Sequence, residues 1–293
     1  MLSKTNTYPW LKLGCPECSG DISPETLHCE NGHQFYERQG VVSLLNKETS
    51  TWLLDFLDKF EAYREKKGLR SYNPMWFRQL PYGPIAKGNF EWRYRQAGWE
   101  IINQRLKGQP RQKILDIGAW NGWLSHRLVA AEHQVVAVDY FVDPLDGLGA
   151  MTHYDVAWPA IQMDLENLTN LPVAFDLIIV NHCLQFFATP LETLRQAQQL
   201  LIQDGKILVI GLAFFADPRK QIERVKRYRT EFGKHGVDFF KPMKGYLDFY
   251  DRKHLQQEGI KFHPYQQLWK ANLRSQIDPT RPRYEFGLYA KDK

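Results

Sequence analysis

The sequence has 293 residues, of which 43% are hydrophobic and 24% are charged, and this composition excludes a largely disordered chain. Its 38 basic and 33 acidic residues give a net charge of +5, which permits an anionic partner without requiring one. No apolar run approaches the ~18 residues of a transmembrane helix, and the first residues lack the apolar core of a signal peptide, so we expect a cytoplasmic protein with no membrane partner.

Three of the four cysteines fall within the first 29 residues, in the pattern C-x2-C-x10-C-x3-H formed by Cys15, Cys18, Cys29 and His33. Three thiolates and one imidazole are the ligand set of a tetrahedral structural Zn²⁺ site. His28, beside Cys29, is an alternative fourth ligand. Short strand-like runs at 26–29, 33–36 and 40–45 surround these residues, so the sequence predicts a zinc-ribbon-like module over residues 1–46.

This segment resembles the zinc-binding heads of large-subunit ribosomal RNA guanine methyltransferases, and those fused to other bacterial methyltransferases. The resemblance rests on the CPEC pair, on the Cys-x3-His that ends in GHQF, and on the exit GVVSLL, over about 30 residues. It implies zinc and leaves the substrate open.

Residues 47–112 form an aromatic and basic linking region, predicted as a helix over 51–67, a loop rich in Pro and Gly, and a helix over 90–106 that ends before Gly108. The aromatic residues of the loop either line a substrate pocket or cap the core; they are Tyr72, Trp76, Phe77 and Tyr82. Four residues here are candidate lid or substrate contacts: Tyr82, Asn89, Trp92 and Arg93.

A buried strand over 113–118 ends at a glycine turn and is followed by a helix over 123–131 and a strand over 135–139 that ends in Asp139. This order is typical of a Rossmann-type nucleotide-binding unit, in which the glycine allows close approach of a ligand and the carboxylate accepts from ribose hydroxyls.

Three details favour S-adenosylmethionine over a dinucleotide. Asp116 lies two residues before Gly118, where dinucleotide fingerprints do not require an acid. Trp120 takes the place of a middle glycine and would crowd a pyrophosphate, which S-adenosylmethionine lacks. The segment 161–165 supplies Asp164 after a third strand, where it can accept from an adenine amino group.

The remaining elements continue the same alternation of strands and helices. They are a strand over 175–183, a helix over 191–201, a strand over 206–212, a helix over 251–258, and two late strand-like runs over 260–269 and 284–290. We therefore expect an α/β fold in which the last two runs form an antiparallel pair.

Residues ~90–293 resemble the class I S-adenosylmethionine-dependent methyltransferases, on the motifs LDIGAWNGWLS, VVAVDYF, IQMDL and FDLIIVNHCLQFF. The resemblance implies a Rossmann-like, seven-stranded, mostly parallel sheet, with the methyltransferase domain over 113–293. The residues it implies for the cofactor are Asp116, Gly118, Ala119, Trp120 and Gly122 at the methionine end, Asp139 and Tyr140 at the ribose, Asp164 and Leu165 at the adenine, and Asn181 beneath the sulfonium. Trp120 departs from the usual glycine.

His182, just past the fourth strand, is the candidate general base, and the alternative is a turn residue satisfied by backbone. Gln185 and Phe186 are candidate walls of the acceptor pocket, whereas Cys183 is predicted to pack.

Two insertions, 141–159 and 213–250, are predicted to shape acceptor choice, and residues 241–246 form a candidate lid. Residues 216–236 hold seven Lys and Arg against three acids, which indicates either a phosphate grip or a solvated helix face.

Three functions follow from these patterns. The first is a methyltransferase with an unidentified, small-molecule acceptor. The second is an rRNA or tRNA base methyltransferase, in which the head and the basic segment hold RNA. The third is a non-catalytic interaction protein that binds S-adenosylmethionine or zinc.

Overall fold

The computed structural model describes residues 8–70, 73–238 and 241–291, so Tyr72 lies outside the described residues. The helices over these ranges are α1 Lys47–Lys66, α2 Pro74–Phe77, α3 Phe90–Leu106, α4 Trp123–Ala130, α5 Pro190–Gln199, α6 Arg219–Gly233, α7 Phe249–Gln257 and α8 Trp269–Ile277. None of them is apolar over enough residues to form a transmembrane segment.

The strands of the described ranges join into one mixed sheet. They are β1 Tyr36–Arg38, β2 Val41–Leu44, β3 Lys113–Ile117, β4 Gln134–Asp139, β5 Ala160–Met163, β6 Phe175–Asn181, β7 Leu201–Phe215, β8 Leu247–Asp248, β9 Lys261–Pro264 and β10 Pro282–Ala290. Their order is β1-β2-β5-β4-β3-β6-β7-β10-β9, with β8 paired to β7.

Without β1, β2 and the two-residue β8, seven strands remain in the order β5-β4-β3-β6-β7-β10-β9. Five of them are parallel, and β10 is antiparallel to both β7 and β9. The predicted Rossmann-like fold with a mostly parallel sheet is confirmed, and the predicted antiparallel pair is β9 and β10.

Alternate residues of the central strands face opposite sides of the sheet and are buried on both. In β3, Leu115 and Ile117 belong to one hydrophobic cluster, whereas Ile114 belongs to the other. A strand covered on both faces needs apolar residues at nearly every position, and KIL and VVAV supply them.

The segment before α1 is joined to this sheet by backbone hydrogen bonds. Strand β2 runs parallel to β5, from Val41 opposite Ala160 to Leu44 opposite Met163. The Ser43 hydroxyl donates to the Gln162 side chain at 2.8 Å. The N-terminal hairpin β1–β2 therefore extends the sheet beyond the expected seven strands.

Two sequence predictions of strands were wrong in extent. Around the cysteines the chain forms isolated β-bridges, such as Ile22 with Cys29, instead of strands over 26–29 and 33–36. The run 260–269 contains only the short strand β9, which ends at Pro264 and is followed by a 3₁₀ turn and the unpredicted helix α8.

Candidate active site and metal centre

Four polar side chains stand at the carboxyl ends of four adjacent parallel strands. Asp116 lies near the end of β3, Asp139 ends β4, Asp164 follows β5 and Asn181 ends β6. Because these strands are neighbours and parallel, the four side chains share one edge of the sheet. This edge is where an open α/β sheet binds its ligand.

The Asp116 carboxylate is fully buried and hydrogen-bonded by two side chains. Ser125 Oγ donates to it at 2.7 Å, and Asn181 Nδ2 donates at 3.2 Å. Burial outweighs these bonds and raises the pKa of Asp116 to about 7. Ser125 was not predicted, although its position in the helix after the glycine turn could have identified it.

The glycine turn has positive φ at Gly118 (75°), Trp120 (49°) and Gly122 (74°). A Cβ on Gly118 would lie 2.5 Å from Cys183 Sγ, and one on Gly122 would lie 2.6 Å from the Trp158 ring. The space beside both glycines is therefore filled by the protein itself. The predicted packing role of Cys183 fits this contact.

Asp139 fixes this turn against the end of β4. Its carboxylate accepts from the backbone N–H of Trp120 at 2.7 Å and from that of Phe141 at 3.0 Å. Burial raises the pKa of Asp139 to about 6, against the opposing effect of these bonds. Asp139 is thus a buried, partly satisfied acceptor next to Trp120, which suits recognition of donors on a ligand.

Asp164 is the centre of a polar cluster with residues on either side of it. Tyr140 Oη donates to its Oδ1 at 2.6 Å, and Lys241 Nζ donates to the same atom at 2.7 Å. Lys241 Nζ also lies 3.5 Å from Glu166 Oε1. Leu165 is buried beside this cluster.

Lys241 belongs to the predicted lid, residues 241–246. The Gly245 N–H donates to the Gln185 carbonyl at 3.0 Å, and the Gln185 side chain donates to the His182 carbonyl at 3.0 Å. The segment therefore contacts residues that follow both β5 and β6. Phe186, next to Gln185, is 52% exposed and has no role in this contact.

His182 occupies a left-handed backbone position (φ 56°) and its ring contacts Tyr94 at 4.9 Å between centroids. Its Nε2 is buried with no hydrogen-bond partner among the described residues. Burial, and then the charge of Arg95, lowers the pKa of His182 well below its usual range. The ring is neutral at pH 7, with a nitrogen free to accept or donate according to its tautomer.

Three of the four predicted lid residues line one groove. The groove has a volume of about 330 Å³, and its walls include Tyr82, Asn89 and Arg93. Trp92 is buried instead against Trp120, with ring centroids 6.0 Å apart. Successive residues of a helix point about 100° apart, so Trp92 and Arg93 face different sides of α3.

Arg95 was missed by the sequence interpretation. Its guanidinium lies over both the Trp92 ring and the Trp120 ring, at 5.2 and 5.3 Å from their centroids. Residues three apart share a helix face, so a buried Trp92 was a signal for Arg95 rather than for Arg93.

The four predicted metal ligands form one cluster in the N-terminal segment. The ligand atoms of Cys15, Cys18, Cys29 and His33 all lie within 4.8 Å of one another. His33 Nδ1 is 3.5 Å from Cys15 Sγ and 3.3 Å from Cys29 Sγ. His28 Nδ1 contacts the carbonyl of Thr26 at 2.9 Å, so His33 completes the set. Three sulfurs and one nitrogen at this spacing fit a tetrahedral zinc ion.

Comparison with known proteins identifies the family of the chain. Residues 65–259, more than half of the chain, match the model of a family of methyltransferase domains. The chain belongs to this family. It therefore carries an S-adenosylmethionine-dependent methyltransferase domain.

Individual relatives are distant. A malonyl-[acyl-carrier protein] O-methyltransferase of Hahella chejuensis is 27% identical over 115 residues, which are 39% of this chain and 41% of that protein. A tRNA U34 carboxymethyltransferase of Haemophilus ducreyi is 23% identical over 215 residues, covering 68% of this chain and 66% of that protein. The chain thus spans less than half the length of the first of these relatives.

Among solved structures, a 1,6-didemethyltoxoflavin-N1-methyltransferase of Burkholderia thailandensis is similar with a TM-score of 0.44 and 13% identity. The match covers 84% of this chain and 90% of that chain. The strand order of the methyltransferase domain itself, rather than this likeness, establishes the fold.

Proposed function

We propose that the chain transfers a methyl group from S-adenosylmethionine to a small-molecule acceptor. The observation that carries this proposal is the gathering of Asp116, Asp139 and Asp164 at the ends of three adjacent strands of a class I methyltransferase sheet. When bound, S-adenosylmethionine supplies a methyl group already activated by a sulfonium, so the protein mainly has to position the reactants and exclude water.

The residues at this edge suit the three parts of the cofactor. Asp116, held by Ser125 and Asn181, is an anion for the ammonium of the methionine moiety. We assign the Asp139 carboxylate to the ribose, whose hydroxyls can donate to it. Asp164, with Tyr140 and Leu165, forms the wall proposed for the adenine.

His182 is our proposed general base. A neutral amine or hydroxyl acceptor loses a proton when it is methylated, and a neutral imidazole can take that proton. The unpartnered buried Nε2 and the lowered pKa of His182 both support the neutral form at pH 7.

We assign the acceptor to the groove beside α3. Its volume of about 330 Å³ is at the lower end of the range for small-molecule pockets. Tyr82, Asn89 and Arg93 offer an aromatic face, an amide and a cation to such a ligand.

Cofactor binding tests the first part of the proposal. We expect isothermal titration with S-adenosylhomocysteine to give one site per chain, and Asp139→Ala to weaken binding at least about tenfold, because it removes an acceptor for the ribose. Asp55→Ala, which alters an exposed i,i+4 pair on α1, is the matched control and should bind normally. Absence of binding by the unaltered protein would contradict the proposal.

RNA is a second candidate acceptor, favoured by one surface of α6. Lys220, Arg224 and Arg227 lie along one face of this helix and have no carboxylate within 4.0 Å over the ranges that the structure describes. Such a row of cations can bind phosphates.

Transfer of a tritiated methyl group into fractionated metabolite, RNA and protein pools separates the acceptors. Label that enters the metabolite pool, and stays there when the cations of α6 are replaced by glutamine, agrees with a small acceptor. Label that enters RNA, and is lost in the same variant, would replace our first proposal with the second.

A further inference from the structure

We propose that Arg95 binds a carboxylate group at the junction between the glycine turn and the acceptor side of the site. The inference rests on the methyltransferase function proposed above and deepens it. Arg95 is a residue of α3 that none of the patterns in the sequence had singled out.

The surroundings of Arg95 are aromatic. Its guanidinium carbon lies 5.2 Å from the centroid of the Trp92 ring and 5.3 Å from that of Trp120. These two rings are nearly parallel, with an interplanar angle of 21°. Cation–π contacts of this kind fix a guanidinium in place and leave its edge N–H groups available for a ligand.

The charge of Arg95 is incompletely matched by the protein. Among the described residues, the carboxylate within 4.0 Å of Arg95 is that of Glu91, with Oε2 3.6 Å from Nη1, and the Glu91 side chain is 77% exposed. The Arg95 side chain itself is only 16% exposed. By contrast, Arg252, which is 23% exposed, has the buried Glu285 carboxylate at 2.6 Å. A shielded cation normally has such a partner, so the charge of Arg95 suits a second anion.

The position of Arg95 identifies the chemistry of that anion. Trp120, under the guanidinium, donates its backbone N–H to Asp139. Tyr94, the residue before Arg95, contacts the ring of His182 just past β6, with centroids 4.9 Å apart. Arg95 therefore lies above the ends of β3 and β6, near the acids of the cofactor edge. An amino-acid ligand needs a cation for its carboxylate as well as an anion for its ammonium, and a guanidinium pairs with a carboxylate through two parallel hydrogen bonds.

Two ligands can supply this carboxylate: the methionine moiety of the cofactor, or the acceptor. The experiment compares S-adenosylhomocysteine, which has the amino-acid carboxylate, with 5′-methylthioadenosine, which lacks it. Succinate, titrated into protein saturated with S-adenosylhomocysteine and followed by tryptophan fluorescence, is the probe for an acceptor carboxylate. The variants are Arg95→Met, Arg95→Lys and the control Arg105→Met. Arg105 lies on the same helix as Arg95, and its replacement removes a cation–π contact to Phe286 of β10.

If the cofactor supplies the carboxylate, Arg95→Met weakens the binding of S-adenosylhomocysteine about 10- to 100-fold and leaves the affinity for 5′-methylthioadenosine unchanged. Arg95→Lys then restores part of the affinity. If the acceptor supplies it, S-adenosylhomocysteine binds all variants equally, and Arg95→Met abolishes the succinate signal. The control behaves as the unaltered protein in both cases.

If Arg95→Met weakened the binding of both nucleosides equally, the role of Arg95 would be only to pack against Trp92 and Trp120, and the inference would be overturned. So would unchanged nucleoside binding together with no succinate signal from the unaltered protein. Failure of the unaltered protein to bind either nucleoside is a different result, because it contradicts the proposed function itself. Retained 5′-methylthioadenosine binding demonstrates that a variant is folded at this site.

Discussion

At the residue scale, the site keeps two carboxyl groups away from water. Asp116 and Asp139 are both buried, and burial raises their pKa values to about 7 and about 6. In an unfolded chain the pKa of Asp is ~3.9. Between these values the folded protein holds more protons than the unfolded chain, so the free energy of unfolding falls as the pH rises.

The pH dependence of stability is therefore a test of Asp116. Between about pH 4 and 7 its ionisation should destabilise the ligand-free protein, by up to roughly 1.4 kcal/mol per pH unit. Asp116→Asn cannot ionise, so we expect the stability of this variant relative to the unaltered protein to increase from pH 5 to pH 7. Urea unfolding at a series of pH values measures this.

Asp55→Asn, on the exposed side of α1, serves as the control and should show a constant difference from the unaltered protein over the same pH range. Parallel curves for Asp116→Asn and the unaltered protein would show that Asp116 keeps an ordinary pKa in the folded state.

The acids of the site could be read from the sequence, whereas two of their neighbours could not. Asp116 lies next to the end of a short apolar strand and Asp139 ends another, and strand ends are a local pattern. The contact of Arg95 with Trp120 joins residues 25 positions apart in sequence and depends on the rotation of α3. Lys241 reaches Asp164 across 77 residues, a contact that only the fold reveals.

At the scale of elements, the N-terminal segment has few regular strands of its own. Isolated bridges join Gly14 to Asp21 and Ile22 to Cys29, and the metal cluster lies among them. Buried Leu13 and Leu27 continue into the hydrophobic cluster on one face of the main sheet. A bound ion would therefore stabilise a segment that contributes buried residues to that hydrophobic cluster.

Zinc content and stability test this cluster. We expect purified protein to contain one zinc per chain, and His33→Ala to lose it together with roughly 3 kcal/mol of stability, or about 5–10 °C in the thermal midpoint. His28→Ala is the matched control, since His28 contacts only its own turn through Nδ1. The assignment would be refuted if the purified protein contained no zinc and His33→Ala left the thermal midpoint unchanged. Loss of zinc in His28→Ala but not in His33→Ala would refute it as well.

The sequence predicted an element correctly where one or both of its faces are buried. Strands β3, β4 and β6 show near-continuous apolar runs and were predicted within a few residues. The strand predicted over 260–269 is longer than the observed one, which ends at Pro264. Proline has no N–H to donate to a neighbouring strand, so it ends the pairing. Helix α8 buries none of its residues fully, so it leaves no apolar periodicity to detect.

At the scale of the whole molecule, we propose three parts: residues 1–46 as the metal-binding module, 47–112 as the linking region and cap, and 113–293 as the methyltransferase domain. Strand β2 belongs to the first part in sequence and to the main sheet in structure. The module is thus attached by more than its linker.

Two truncations that differ only in β2 test this attachment. Protein that begins at Gly40 loses the metal cluster and keeps β2, whereas protein that begins at Lys47 loses both. We expect the shorter protein to unfold at a lower temperature and to aggregate more, because the edge of β5 is left unpaired. Thermal melts and sedimentation compare the pair. Equal midpoints and equal solubility would show that β2 adds nothing to the sheet.

A chain of hydrogen bonds leads from β2 to Asp164. Ser43 donates to Gln162, Gln162 donates to the Tyr140 carbonyl, and the Tyr140 hydroxyl donates to Asp164. These bonds connect β2 to the wall proposed for the adenine, so we expect a displacement of β2 to alter that wall. Any such coupling free energy is reciprocal. If a bound metal stabilises β2 in its place, it tightens nucleoside binding. A bound nucleoside then tightens metal binding by the same free energy.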